Sequence, residues 1–210
     1  MKKIVLSLFL MFVVFITNGQ SFGDSNNITI DEFSYDDEVK TVMGTIKINR
    51  ISGFGGPIMS FTALNGEFAH IMGGGGGVIL NNIFIGGYGE GVTNTLTIGG
   101  TASLTDFDFG HGGFWVGYEI GHKMIIHPVI SSRIGWGSLT GYDEINSKDV
   151  KDNFFVLIPT ISAEINLTRF FKVNIGAEYR RTFNVNNLEG LNDNNFSGLG
   201  VHLNFLFGWF

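Results

Sequence analysis

The sequence predicts an all-β protein, an eight-stranded antiparallel up-and-down transmembrane β-barrel. Three observations carry that expectation. Extended runs of alternating polarity recur from Phe54 onward, each near the roughly 9–11 residues that a tilted strand needs to cross hydrocarbon. The links between them alternate between short turns and longer polar loops, the pattern of a barrel with one plain rim and one elaborated rim. The chain also holds 31 glycines and 21 phenylalanines but only 3 prolines, a composition that suits ordered, aromatic-rich strands rather than a flexible low-complexity polymer.

The N-terminal stretch MKKIVLSLFLMFVVFITNGQ sets two lysines before about 14 mostly apolar residues and a small, polar exit, the layout of a secretory signal peptide. It is shorter than the roughly 20 apolar residues of a spanning helix. Residues 1–20 are therefore expected to be cleaved, near Gln20, and the rest exported. Without Lys2 and Lys3 the 13 basic residues become 11 against 19 acidic ones, a net charge near −8, which argues against nucleic acid as a partner. The chain has no cysteine, which removes disulfides, thiolate metal sites, cysteine nucleophiles and a lipidated cysteine together.

Residues 21–53 form a separate N-terminal segment with Asp24, Asp31, Glu32, Asp36, Asp37 and Glu38 crowded in its first half, best read as a solvated acidic run with one short strand around Thr45–Ile48. The barrel is expected over 54–210, in eight strands near 56–64, 68–80, 83–92, 107–121, 125–138, 154–167, 171–183 and 197–210. In the seventh, Phe171, Val173, Ile175, Ala177 and Tyr179 share one face, while Lys172, Asn174, Gly176, Glu178 and Arg180 share the other, which is strand periodicity. The sixth repeats the pattern except for Ile158, and the eighth except for Leu206. Links after strands two, four and six are short (Asn81-Asn82, His122–Met124, Thr168–Phe170), as is the link at Asn65-Gly66. Longer loops are expected near 93–106, 139–153 and 184–196.

Several segments, GFGGPIMSFTALNGEF (53–68), GGGGGVILNNIFIGGYGEG (73–91), HGGFWVGYEI (111–120) and HPVISSRIGWG (127–137), resemble a family of small, functionally uncharacterised outer-membrane β-barrel proteins of Gram-negative bacteria. The resemblance spans roughly 53–210 and implies an architecture of the small eight-stranded type, with no activity or catalytic residue attached. The aromatic ending FLFGWF agrees with it, since chains handled by the outer-membrane assembly machinery commonly end in an aromatic residue.

The glycine run at 73–77 has a structural reading. If Asn81-Asn82 is a two-residue hairpin turn, Leu80 pairs with Ile83 and Val78 with Ile85. Gly73, Gly75 and Gly77 then share the inward face with Ile79. An eight-stranded barrel is just wide enough for its own side chains, so this bare wall makes room for large groups such as Trp115, Arg133, Glu178 and Arg180. A phosphate loop would need Gly-Lys-Ser/Thr after its glycines, and here Val-Ile-Leu follows.

Parity places Glu119, His127, Arg133, Glu164, Lys172, Glu178 and Arg180 on the non-lipid face. Buried charges persist when paired, so these are expected to form a two-layer network, with Glu119, His127, Glu164 and Lys172 low and Arg133, Glu178 and Arg180 higher. A tight turn at Thr168–Phe170 sets Asn166 opposite Lys172, and a similar one at His122–Met124 would set Glu119 opposite His127. Trp136, Tyr179 and Trp209 read as membrane-interface anchors.

No catalytic, cofactor-binding or metal site stands out. His127 and Ser131 share a face but lie about 13 Å apart along a strand, too far for direct proton transfer. Asp106 and Asp108 near His111 evoke a barrel protease, yet Asp108 and His111 fall on opposite faces. Asp143, Glu144, Asp149 and Asp152 lack the spacing of a calcium loop. The leading expectation is a non-enzymatic barrel with a salt-bridge-filled, non-conducting lumen and a structural or surface-interaction role. Its partners are outer-membrane lipid, the assembly machinery during biogenesis, and a surface ligand that no motif names. The alternatives are a narrow pore and a soluble periplasmic barrel holding a small apolar ligand.

Overall fold

The computed structural model describes residues 48–96, 104–143, 148–186 and 191–210. The expected signal peptide and most of the N-terminal segment lie outside them. Eight strands, β1 (Ile51–Leu64), β2 (Glu67–Leu80), β3 (Ile83–Val92), β4 (Leu104–Glu119), β5 (Ile126–Asp143), β6 (Lys148–Asn166), β7 (Phe171–Phe183) and β8 (Gly198–Trp209), run in sequence order. Each pairs antiparallel with its neighbours, and β8 returns to β1, with Met59 opposite Leu203, to close the barrel. The first strand begins at Ile51, three residues before the expected boundary at Phe54, and the strand sought at Thr45–Ile48 is absent at Ile48, the one of its residues that is described.

Two hairpins obey their turn chemistry. Asn65 and Gly66 both take positive φ, as does Asn81, the conformation that two-residue hairpins require and that Asn and Gly tolerate. Leu80 therefore pairs with Ile83 and Val78 with Ile85, as the sequence predicts. The β4–β5 connection departs from expectation. It runs from Ile120 to Ile125 with Gly121 at positive φ, so Glu119 lies opposite Val129 rather than His127. The longer turn shifts the register by two residues and keeps both faces in phase.

The outer face is apolar. Ile85, Phe114, Ile130, Ile161, Ile175 and Val201 are exposed, Ile161 at 68%, while on the same strands Arg133, Glu178 and Arg180 are at most 3% exposed. A water-soluble barrel turns its polar face out and buries its apolar set; this barrel does the reverse, as a wall against hydrocarbon must.

The glycines divide between the two faces. Gly73, Gly75 and Gly77 face the lumen beside buried Ile79. A Cβ on Gly75 would stand 3.0 Å from Ile58 Cδ1 and 3.1 Å from Trp115 Cε3, and one on Gly77 would stand 2.6 Å from Gly86 Cα. These residues are bare because bulky neighbours and the facing backbone occupy their side-chain space. The alternate glycines face outward and differ: around Gly89 there is no atom within 4 Å and around Gly74 the nearest is 3.4 Å away, whereas a Cβ on Gly76 would stand 2.6 Å from the Phe54 carbonyl oxygen.

The loop expected at 139–153 is mostly strand. β5 and β6 span 18 and 19 residues, and only 144–147 separates them outside the described residues. Leu139, Phe154 and Val156 point into the barrel and are fully or nearly fully buried, whereas Ser138, Thr140 and Asn153 are not. Alternation continues here with a polar outer face, because this part of the wall rises beyond the apolar band; polar outer residues made it read as loop.

Candidate functional site: an ion-paired lumen

The lumen is stacked in four zones. At the end holding the chain termini of the barrel lies the lower charge layer. Lys172 Nζ donates to Glu164 Oε1 at 2.6 Å and to Glu119 Oε1 at 3.1 Å, and Arg50 Nη1 donates to Glu119 Oε2 at 2.8 Å. His127, directly opposite Glu164 on the neighbouring strand, brings Nε2 to 3.2 Å from Glu164 Oε1, though off line for a hydrogen bond. Two carboxylates, Glu119 and Glu164, thus face two cations, Arg50 and Lys172, the balance that buried charges need. Arg50 stands immediately before β1, within the 21–53 segment, and so lies outside the network that strand parity predicts.

An apolar layer follows, formed by Ile58, Ile79, Phe84, Tyr88, Trp115, Val129 and Leu206. Phe84 and Phe54 meet Trp115 edge to face, with centroids 5.5 and 5.4 Å apart, a geometry that adds to area burial. Leu206, an exception to its strand's alternation in sequence, belongs to this layer.

The second charge layer centres on Arg133, whose Nη1 donates to Glu90 Oε2 at 2.7 Å and whose Nη2 donates to Glu178. Glu178 also accepts from Ser60 Oγ at 3.1 Å and lies 3.5 Å from His202 Nδ1. His111 Nδ1 meets the Tyr88 hydroxyl at 3.2 Å, with its other ring nitrogen 3.8 Å from Glu90. Arg180 is in this layer but ion-pairs with no described carboxylate. It donates instead to the Phe196 carbonyl and to Thr62 Oγ1, each at 3.0 Å, and lies 5.5 Å over the Phe109 ring.

Above this the polar lumen that the sequence led us to expect gives way to hydrocarbon. Leu64, Ile71, Phe107, Phe109, Leu139, Phe154 and Ile158 form a second apolar core, joined by Leu96, Val185 and Phe196 from the connecting loops. Phe109 stacks on Phe154 at 4.7 Å and on Phe196 at 6.0 Å. Phe196 ends a 3₁₀ turn, Asp193–Phe196, held by reciprocal side-chain bonds between Asn192 and Asn195, so a capped loop presses its aromatic residue into the barrel mouth. Ile158, the other sequence exception, is 1% exposed here.

The structure places all seven expected network residues inside the barrel. It joins Glu119, Glu164, Lys172 and His127 in one layer and Arg133 with Glu178 in the other, and it leaves Arg180 outside any described ion pair. Sequence reasoning missed Glu90 and His111, although each shares inward parity with a residue it had placed there: Glu90 with Ile79 through the Asn81-Asn82 register, and His111 with Trp115. Trp136, Tyr179 and Trp209 are exposed on the outer wall, Trp136 against Phe155 at 5.8 Å. Asp152 is a buried acceptor for the backbone N–H of Asn186 at 2.8 Å, not the solvated loop residue expected.

Among the described residues, neither of the two pairings that the sequence suggested is assembled. Ser131 bonds to Thr160 and Trp115 rather than to a histidine, and Asp108 is exposed while His111 is buried on the other face. Glu119, His127 and Glu164 bring donor atoms within 4.8 Å of one another, but the Lys172 ammonium already stands against both carboxylates and supplies the positive charge. A cavity between the lower charge layer and the apolar layer above it, lined by Glu119, Glu164, Phe84, Trp115 and Leu206, measures about 10 Å³, room for one water at most.

These features define a class: a closed, eight-stranded antiparallel barrel, apolar outside and ion-paired inside, with the fold of the small outer-membrane barrels. Among solved structures the chain resembles the Neisserial surface protein A, NspA, at a TM-score of 0.54 and 9% identity, over 76% of this chain and 96% of that one. It also matches the attachment invasion locus protein Ail of Yersinia pestis (0.46, 13% identity, 76% and 97% covered) and the N-terminal barrel of Pseudomonas aeruginosa OprF (0.49, 9% identity, 76% and 97% covered). No family model and no curated protein sequence matches the chain.

Proposed function

We propose that the protein is an exported, non-conducting barrel of the outer membrane, with a structural or surface-interaction role carried by the rim opposite the barrel's termini. The observation that carries this reading is the reversal of polarity across the wall. Ile161 and Ile175 face out at 68% and 53% exposure, while Lys172 and Arg180 are buried at 1%. An outer face of this kind is unfavourable in water and favourable against hydrocarbon.

The connections after β2, β4 and β6 and both ends of the barrel chain share one rim, which we assign to the periplasmic side. The outward rim carries the loops after β3, β5 and β7. It also carries a cleft of about 370 Å³ bordered by Asn65, Asn192, Asn194 and Leu199, a surface suited to a partner that offers hydrogen-bonding groups. The narrow-pore alternative has less support, since ion passage needs a continuous polar path and two apolar layers interrupt this one. The test is fractionation of the producing cells, followed by gel migration with and without heating. Recovery with outer membranes and heat-dependent migration support the reading, and a detergent-independent soluble monomer overturns it.

A further inference from the structure

The periplasmic rim opens into a cavity of about 650 Å³ whose lining changes character from side to side. Arg50, Lys123 and Arg169 come to it from three separate segments, and Ile51 and Trp209 come from the outward-facing ends of β1 and β8. Ile51 and Trp209 are 73% and 79% exposed and stand where the wall meets the membrane interface. No carboxylate side chain lines the cavity among the described residues; Phe210, the last residue, and Lys172 also line it. Glu119 and Glu164, beneath it, are already engaged by Arg50 and Lys172, so Lys123 and Arg169 add positive charge that no described ion pair answers. His122, on the same turn as Lys123, is held below the usual imidazole range, by burial first and then by the Arg50 guanidinium; this agrees with a positive potential at the rim.

A site with cations on its axial side and an indole and an isoleucine on its membrane side matches one amphipathic ligand chemistry. We propose that this rim cavity binds the phosphate headgroup of an anionic phospholipid from the periplasmic leaflet, with the phosphate among Arg50, Lys123 and Arg169 and the glycerol and upper acyl carbons against Trp209 and Ile51. Arginine forks and lysine ammoniums are the usual phosphate donors, basic pockets at membrane surfaces select anionic headgroups, and tryptophan belongs at that depth. Arg50 is held in place by its bond to Glu119, so one donor is preorganised before lipid arrives. The inference rests on the outer-membrane reading above.

Native mass spectrometry of the mature chain released from mixed-lipid nanodiscs tests it. Retention of phosphatidylglycerol is expected to exceed that of phosphatidylcholine about tenfold, and Lys123→Gln with Arg169→Gln is expected to abolish the preference. Both residues are exposed, so heat-modifiable migration of the variant should be unchanged, and that control separates failure of the site from failure of the barrel. Equal retention of the two lipids, or a preference that survives the double substitution, would overturn the proposal. Saturation of the cavity by millimolar inorganic phosphate with no preference for phosphatidylglycerol over it would overturn the lipid assignment.

Discussion

The guanidinium of Arg180, on β7, donates to the carbonyl oxygen of Phe196 at 3.0 Å, so a buried cation of the barrel wall holds the loop that closes the barrel's outer end. The same side chain donates to Thr62 on β1. Replacing it by methionine keeps much of the apolar volume but leaves a buried carbonyl and hydroxyl without their donor. Arg180→Met should lower stability by about 2–4 kcal/mol in urea unfolding from micelles, and should expose the 191–197 segment to protease earlier than the rest of the chain.

Lys172 tests the lower layer. Lys172→Met leaves Glu164 buried with only His127 and the Asn174 amide beside it, and breaking a buried pair costs roughly 3–5 kcal/mol. Adding Glu164→Gln should recover part of that loss, with a coupling of at least about 1 kcal/mol in a double-mutant cycle. Additive effects would mean that the two charges do not share one layer.

Two glycines, Gly77 facing in on β2 and Gly89 facing out on β3, predict opposite responses. Gly77→Ala places a methyl 2.6 Å from Gly86 Cα and should cost about 1–3 kcal/mol. Gly89→Ala meets nothing within 4 Å and should be neutral to within about 0.5 kcal/mol, or slightly stabilising, since alanine loses less backbone entropy than glycine on folding. Parallel unfolding curves of the two variants check the assignment.

The height of the apolar band is measurable in the same way. Ile161→Arg puts a charge at an outward position 68% exposed and should cost about 2–4 kcal/mol on folding into liposomes. Thr140→Arg, outward on β5 beyond Trp136, should change stability by less than about 0.5 kcal/mol.

Period-two alternation and turn chemistry made the barrel legible in the sequence. Asn81 gave the β2–β3 register because few residues accept its positive φ, and from that register the inward glycines followed. The β4–β5 register was not legible, because pairing Glu119 with Val129, with nine residues enclosed (120–128), satisfies the same parity as pairing it with His127, with seven enclosed (120–126). Ile158 and Leu206, which broke the alternation, mark the two apolar layers; an apolar residue facing inward carries no sign of whether its neighbours across the barrel are charged or aromatic. Arg180 has inward parity like Glu178, but its partner is a backbone carbonyl of a distant loop, and backbone acceptors leave no trace in side-chain pattern.

The central claim is that paired charges and two apolar layers close the lumen. Planar-bilayer recording of the purified, folded protein tests it most directly. The sealed lumen predicts a silent bilayer, with no stable conductance step at physiological salt and moderate voltage; a reproducible, long-lived open level in the unmodified protein would contradict it.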